Sequence, residues 1–125
     1  VTSKQSLGKK GEELACAFLE QKGHCILFRN HRSGHSELDI VSREAGTLIV
    51  TEVKSFNARP LGAAEFRVNA AKQRKIISGT YALLSMNAEL QGLNVRFDVI
   101  IVDFSAYPAV ITHHQGAFWD EQGWG

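Results

Sequence analysis

The chain has 125 residues, 44% of them hydrophobic, and a formal net charge of +1 from 14 Lys and Arg against 13 Asp and Glu. That size suits one domain with a single core over residues 1–125 and leaves no room for a second. The balanced charge excludes a globally basic nucleic-acid binder, so any phosphate contact must be local, and no apolar run is long enough to span a bilayer or serve as a signal-peptide core.

A cytoplasmic protein without membrane association is expected. Cys16 and Cys25 fit no metal spacing and sit in apolar contexts, so both are expected to be reduced core thiols. The only methionine is Met86, so the chain is expected to start downstream of its initiator.

Ser6 to Lys22 predicts an amphipathic helix. Leu7, Leu14, Ala15, Phe18 and Leu19 recur at helical spacing on one face, charged residues occupy the other, and Gly23 ends it. Glu12 falls at the margin of the apolar face and can look toward the core edge, although an acid this early in a helix also complements the helix dipole. His24 to Arg32 predicts a strand that runs into the polar stretch Asn30 to Ser36.

Glu37 to Lys54 predicts two β-runs joined by a turn, and here the sequence states a chemistry. Alternation places Glu37, Asp39 and Val41 on one face of the first run, and Leu48, Val50, Glu52 and Lys54 on one face of the second. Gly46 supplies the permissive backbone of the turn. A loop of two or four residues pairs positions that sum to 91, setting Asp39 opposite Glu52 and Glu37 opposite Lys54; a three-residue loop separates the acids. Opposed residues in an antiparallel pair have Cβ atoms roughly 4.5–5.5 Å apart, and like charges there are destabilising.

A hard divalent cation such as Mg²⁺ or Mn²⁺ compensates such a pair, taking one or two carboxylates and completing its shell with water and substrate phosphate. Lys54, beside Glu52 on the same face, can then assist a water or stabilise developing charge. Asp39, Glu52 and Lys54 together read as a metal-assisted hydrolytic site for a phosphodiester. Acids and lysines on a hairpin usually form only a solvated face with weak ion pairs. Here the apolar runs Leu38, Ile40, Val41 and Leu48, Ile49, Val50 argue for a buried central hairpin.

Ser55 to Ala64 predicts a loop beside the site, with Arg59 placed to touch phosphate. Glu65 to Ala88 predicts a second helix with Phe66, Ala70, Ile76, Ile77, Leu83 and Leu84 as its stripe. Gln73 lies inside that stripe and Lys72 at its edge, where they can orient a metal-bound water or hold a phosphate; a Gln satisfied by backbone groups is the alternative. Arg67, Arg74 and Lys75 project from the opposite side as a basic stripe for phosphate contacts. Asn94 to Phe104 is apolar on both faces and predicts a central strand, with Arg96 and Asp98 as an ion pair on one face. Tyr107 to His113 predicts a last, edge strand, and the ending carries Phe118, Trp119 and Trp124 as aromatic caps. The five histidines are scattered over strand ends and loops and suggest no zinc site.

The order helix, three strands, helix, two strands, with Asp39, Glu52 and Lys54 on the second and third strands, resembles the restriction-endonuclease-like core of PD-(D/E)xK nucleases. More closely, the chain resembles the bacterial YraN-like family, itself similar to archaeal Holliday-junction resolvases. The resemblance spans nearly the whole chain: Gly8-Lys9-Lys10-Gly11-Glu12-Glu13-Leu14-Ala15, Asn30, Ser36-Glu37-Leu38-Asp39-Ile40, Val50-Thr51-Glu52-Val53-Lys54, Ala71-Lys72-Gln73-Arg74, Arg96-Phe97-Asp98 and Gly116-Ala117-Phe118.

It implies an α/β fold with a mixed five-stranded sheet flanked by helices in the order αβββαββ. It also implies a nuclease site of Glu12, Asp39, Glu52 and Lys54, supported by Glu37 and Lys72, and by analogy with resolvases a two-fold homodimer. The expected function is a Mg²⁺- or Mn²⁺-dependent endonuclease acting on structured or branched DNA, with Asp39, Glu52 and Glu12 as metal ligands. The alternative is a non-catalytic nucleic-acid-binding or adaptor module that retains the fold.

Overall fold

A computed structural model describes residues 4–58 and 67–121. The elements are α1 (Lys4–Gln21), β1 (Cys25–Ser33), β2 (Ser36–Glu44), β3 (Thr47–Phe56), α2 (Ala70–Met86), a short 3-10 turn (Ala88–Leu90), β4 (Asn94–Asp103) and β5 (Val110–Phe118). The expected order αβββαββ is present, and the strands form one mixed sheet in the spatial order β1-β2-β3-β4-β5. Only β3 and β4 are parallel, because the α2 crossover carries the chain back to the start of the sheet before β4 begins.

Each face of the sheet has its own core. On one, Ala15, Cys16 and Leu19 of α1 pack with Ile40, Ile100 and Val102. On the other, Ile76 and Leu83 of α2 pack with Leu48, Val50, Val95, Phe97, Val99 and Phe118. The strand β4 contributes to both, which is why its sequence is apolar at odd and even positions alike. The helix α2 seats closely on the first hairpin through Gly79, where a Cβ would come within 2.9 Å of the Ser36 Cβ. Ser33 Oγ donates to the Gly79 carbonyl at 2.5 Å and Ser36 Oγ to that of Lys75 at 2.6 Å.

Several boundaries differ from the sequence reading. The helix α2 starts at Ala70, not Glu65, because Asn69 adopts an extended conformation and its Oδ1 accepts the Lys72 N–H at 2.8 Å. Arg67 and Val68 therefore precede the helix, and Phe66 lies outside the described residues. The polar stretch after Arg29 is strand as well: β1 continues to Ser33 and turns at Gly34, φ 61°, since an edge strand needs only one apolar face. The strand β5 begins at Val110 and ends at Phe118, later than Tyr107 to His113. Leu14 is exposed, Cys16 is the expected buried thiol, and Cys25, expected in the core as well, is instead an exposed free thiol on edge strand β1.

No helix among the described residues is long and apolar enough to cross a membrane.

Candidate functional site

The hairpin of β2 and β3 has the register the alternation requires. Ile40 pairs with Thr51, Val41 with Val50 and Glu44 with Thr47, around the two-residue turn Ala45-Gly46. Ala45, at φ 52°, takes the left-handed conformation there rather than Gly46. The backbone ladder stops at Ile40 and Thr51, so Asp39 and Glu52 occupy the first positions beyond it. The Val53 N–H donates to Asp39 Oδ2 at 2.9 Å, and the carboxylate stands in for the main-chain acceptor that a continuing strand would supply.

The ladder stops because β2 turns over at this point. Leu38 packs in the α2 core and Ile40 in the α1 core, although positions two apart on a regular strand share a face. On the neighbouring strand, Arg29 pairs with Ile40 and His31 with Leu38, and between them Asn30 sits at φ 49°. Asn tolerates the left-handed region better than most residues. The coordinated twist opens the sheet at Asp39, where groups from both faces can meet.

From the α1 side comes Glu12, whose side chain hydrogen-bonds Asn30 and lies in the field of Asp39, Glu37 and Arg29. From the α2 side comes Lys72, with Nζ 3.5 Å from Glu52 Oε2. Gly11 explains how α1 approaches: a Cβ there would fall 1.7 Å from Ser55 Oγ and 2.9 Å from Ser55 Cβ, so only glycine lets the helix rest on β3 and bring Glu12 over the opening.

The electrostatics follow from this crowding. Burial, the charge of Glu52 and a hydrogen bond with the Glu52 carboxyl push Asp39 up to about 8, against the opposing pull of the Val53 N–H and Lys72. Glu12 is also raised, chiefly by burial and then by Asp39, with Asn30 pulling the other way. A proton on Asp39 relieves the repulsion that Lys72 only partly offsets.

Lys54 lies two positions beyond Glu52 on the same face of β3 and is exposed, and Glu37 is exposed on β2. Gln73 turns its amide back on the local backbone, donating to the Val68 carbonyl at 2.8 Å. The expected basic stripe is divided: Arg67 borders a concavity against β5, Arg74 borders a separate groove with Tyr81 and Trp119, and Lys75 is exposed near the first hairpin. Arg59 and Trp124 lie outside the described residues.

Three participants escape sequence reasoning. Asn30 and Gly11 carry no chemistry by type and matter through backbone conformation and close approach. The third is what gathers around the expected Arg96–Asp98 ion pair behind the site, namely the His113 ring and the Gly116 N–H. Arg96 binds Asp98 with Nε to Oδ1 at 2.8 Å and Nη2 to Oδ2 at 2.9 Å, His113 Nε2 reaches Oδ2 at 2.8 Å, and the Gly116 N–H donates to Oδ1 at 3.0 Å. Lys22 Nζ lies 2.9 Å from His113 Nδ1; an ammonium only donates, so Nε2 carries the imidazole proton to Asp98. Burial alone would raise Asp98, yet His113, Arg96 and the Gly116 N–H bring it down to about 2.

Among the described residues no three His, Cys, Asp or Glu side chains are gathered where together they could hold a metal ion. The donor chemistry nevertheless fits a small hard cation, which needs one or two carboxylates and takes its remaining ligands from water and phosphate. Asp39 and Glu52 would hold it, with Glu12 at the margin.

A family model described as "Uncharacterised protein family UPF0102" matches residues 11–102. The chain is 46% identical over 99 residues to a UPF0102 protein of Desulforapulum autotrophicum, covering 79% of this chain and 81% of the relative. It is 38% identical over 122 residues to one from Chlorobium chlorochromatii, covering 93% of each, and 41% identical over 119 residues to one from Syntrophotalea carbinolica, covering 95% of each.

Proposed function

The chain belongs to the uncharacterised protein family UPF0102, and from that premise we propose that it is a Mg²⁺- or Mn²⁺-dependent endonuclease of the restriction-endonuclease-like kind, hydrolysing phosphodiesters in structured or branched DNA. The observation that carries the reading is the meeting of Asp39 and Glu52 in a half-buried opening of the sheet, with Lys54 next on the same face. Two half-buried carboxyls held against each other cost stability, and such perturbed acids cluster at functional sites.

In this reading Asp39 and Glu52 bind the cation and Glu12 orients its outer ligands, held in turn by Asn30. The cation supplies Lewis-acid polarisation of the phosphoryl oxygen and a lowered water pKa. The Val53 N–H keeps Asp39 in one rotamer, Lys72 holds Glu52 toward α2, and Lys54 offers an ammonium beside the reacting phosphate. Arg67 and Arg74 sit on surfaces where flanking phosphates could run. By analogy with resolvases, two copies related by a two-fold axis would address two strands.

Purified protein is expected to cut nicked or branched DNA only with Mg²⁺ or Mn²⁺, and Asp39→Ala or Glu52→Ala to abolish cutting with the fold retained by circular dichroism. Cleavage in EDTA, or unchanged rates in both variants, would overturn the assignment. One observation favours a non-catalytic module instead: the Lys72 ammonium already stands against Glu52, as a protein cation in place of a metal. Calorimetric titration of Mn²⁺ into wild type and Asp39→Ala separates the two, since an adaptor has no binding heat to lose.

A further inference from the structure

On the α2 face of the sheet, Glu52 is in register with Val99 of β4, and Val99 with His114 of β5. A line of side chains thus leads from the acid pair to β5, each step one strand spacing of about 4.8 Å. Against this line lies a concavity of about 680 Å³, bordered by Val99, Phe118, His114, Gln115, Gln73 and Arg67.

The wall formed by β5 is a bulge. Between the pairs Phe97–Phe118 and Val99–His114, β4 has only Asp98 while β5 has Gln115, Gly116 and Ala117. Gly116 takes φ 60°, and its N–H is held by the Asp98 carboxylate that Arg96 and His113 clamp from either side. A bulge re-aims side chains, and here Gln115 and Ala117 both border the concavity. The buried Asp98 network is therefore the mount for one wall of a cavity that opens one strand away from Glu52.

We propose that this concavity receives a single unpaired nucleotide of a DNA strand, next to the phosphodiester held at Asp39 and Glu52. The inference rests on the nuclease reading for its choice of ligand. Its volume lies within the ~300–1,000 Å³ of pockets that enclose one small ligand. The half-exposed His114 ring at the border can stack on a base, while Phe118, buried and stacked on Phe97, lines the cavity as apolar core surface. The exposed Gln115 carries an amide that can both donate to and accept from a base edge. Gln73, whose amide nitrogen is held by the Val68 carbonyl, keeps its amide oxygen as an acceptor, and Arg67 supplies charge for the adjoining phosphate. A base inside an intact duplex cannot enter such a cavity without leaving its stack, whereas a mismatched or unpaired one enters at little cost. The substrate class is thus DNA with an unpaired nucleotide beside the scissile bond.

The test is binding in EDTA, where no cutting intervenes, to a hairpin duplex with one unpaired 2-aminopurine and to its fully paired counterpart. Wild type should bind the bulged DNA at least fivefold more tightly and change the 2-aminopurine fluorescence on binding. Ala117 is exposed, so Ala117→Trp can fill the cavity without disturbing the core. It should abolish both effects and leave affinity for paired DNA unchanged, while Gln115→Ala should reduce the preference in part. Equal affinity for the two DNAs, full preference in Ala117→Trp, or no binding to either DNA would overturn the proposal. A preference that Ala117→Trp removes, in a protein that never cuts with Mn²⁺, would retain the pocket and sink only the nuclease reading; metal-dependent cutting without preference would do the reverse.

Discussion

In EDTA the protein should lose stability as pH rises from about 4 to about 8, and Asp39→Asn should remove the larger part of that loss, leaving the smaller part that the burial of Glu12 contributes. Burial, the Glu52 charge and the hydrogen bond to Glu52 move Asp39 from 3.8 to about 8. Across that window the native state keeps a proton that the unfolded chain has already released. Stability from a raised folded-state pKa is fully present below the unfolded value and is lost as pH climbs through the folded one. About four pH units at roughly 1.4 kcal/mol each set a ceiling of about 6 kcal/mol, comparable with the ~5–15 kcal/mol that holds a domain together.

Asparagine keeps an oxygen for the Val53 N–H and removes the titration. The assay is urea denaturation of both proteins in steps from pH 5 to pH 9. His24, held down chiefly by burial, titrates in both proteins with the opposite sign, so the difference between the two curves reports Asp39 together with its coupling to Glu12. A cation on both carboxylates removes the penalty: Mn²⁺ at a hundredfold its Kd should add about 2.7 kcal/mol to wild type, more at pH 8 than at pH 5, where protons compete. Parallel pH curves, or equal Mn²⁺ stabilisation of the Asn variant, would refute the reasoning.

Gly11→Ala should destabilise by about 1–3 kcal/mol through overpacking on Ser55, and the same change in a Ser55→Gly background should cost far less by urea denaturation. Asp98→Ala strands the half-buried Arg96 guanidinium, the buried His113 ring and the Gly116 N–H. It should cost about 3–5 kcal/mol and, by hydrogen exchange, deprotect the Gly116 amide more than amides of the β2–β3 hairpin. Ala45→Gly should stabilise by up to about 1 kcal/mol, because Ala45 holds a left-handed conformation at the hairpin turn; a loss in thermal denaturation would mean that the turn has another geometry.

The acid pair was legible because period-two alternation and a two-residue loop leave only one parity, and parity alone decides whether Asp39 meets Glu52. The opening that lets Glu12 join them was not. It depends on Asn30 adopting a positive φ inside a strand, and nothing in residue type separates that from an ordinary strand asparagine. The start of α2 was misplaced because Glu65 and Phe66 continue a helical pattern that the Asn69 cap overrides. The bulge in β5 needs Asp98 from another strand to hold the Gly116 N–H, a tertiary interaction that no local stretch encodes. Leu14 faces water, against its place in the apolar stripe, because helical spacing gives the arc of a face but not the angle at which a sheet meets it.

The placing of the acids early in the chain has a consequence for the chronology of assembly. Glu12, Asn30, Asp39 and Glu52 all belong to α1 and the antiparallel β1-β2-β3 meander, whereas β4 joins β3 through partners 47 positions apart, such as Thr47 with Asn94. Short-range pairings form first because their loops cost less entropy to close. The carboxylates therefore come together while water still reaches them, and their repulsion is sharpened only when β4 and α2 close over the sheet. Divalent ions should accordingly quicken the last stage of refolding and leave the first untouched.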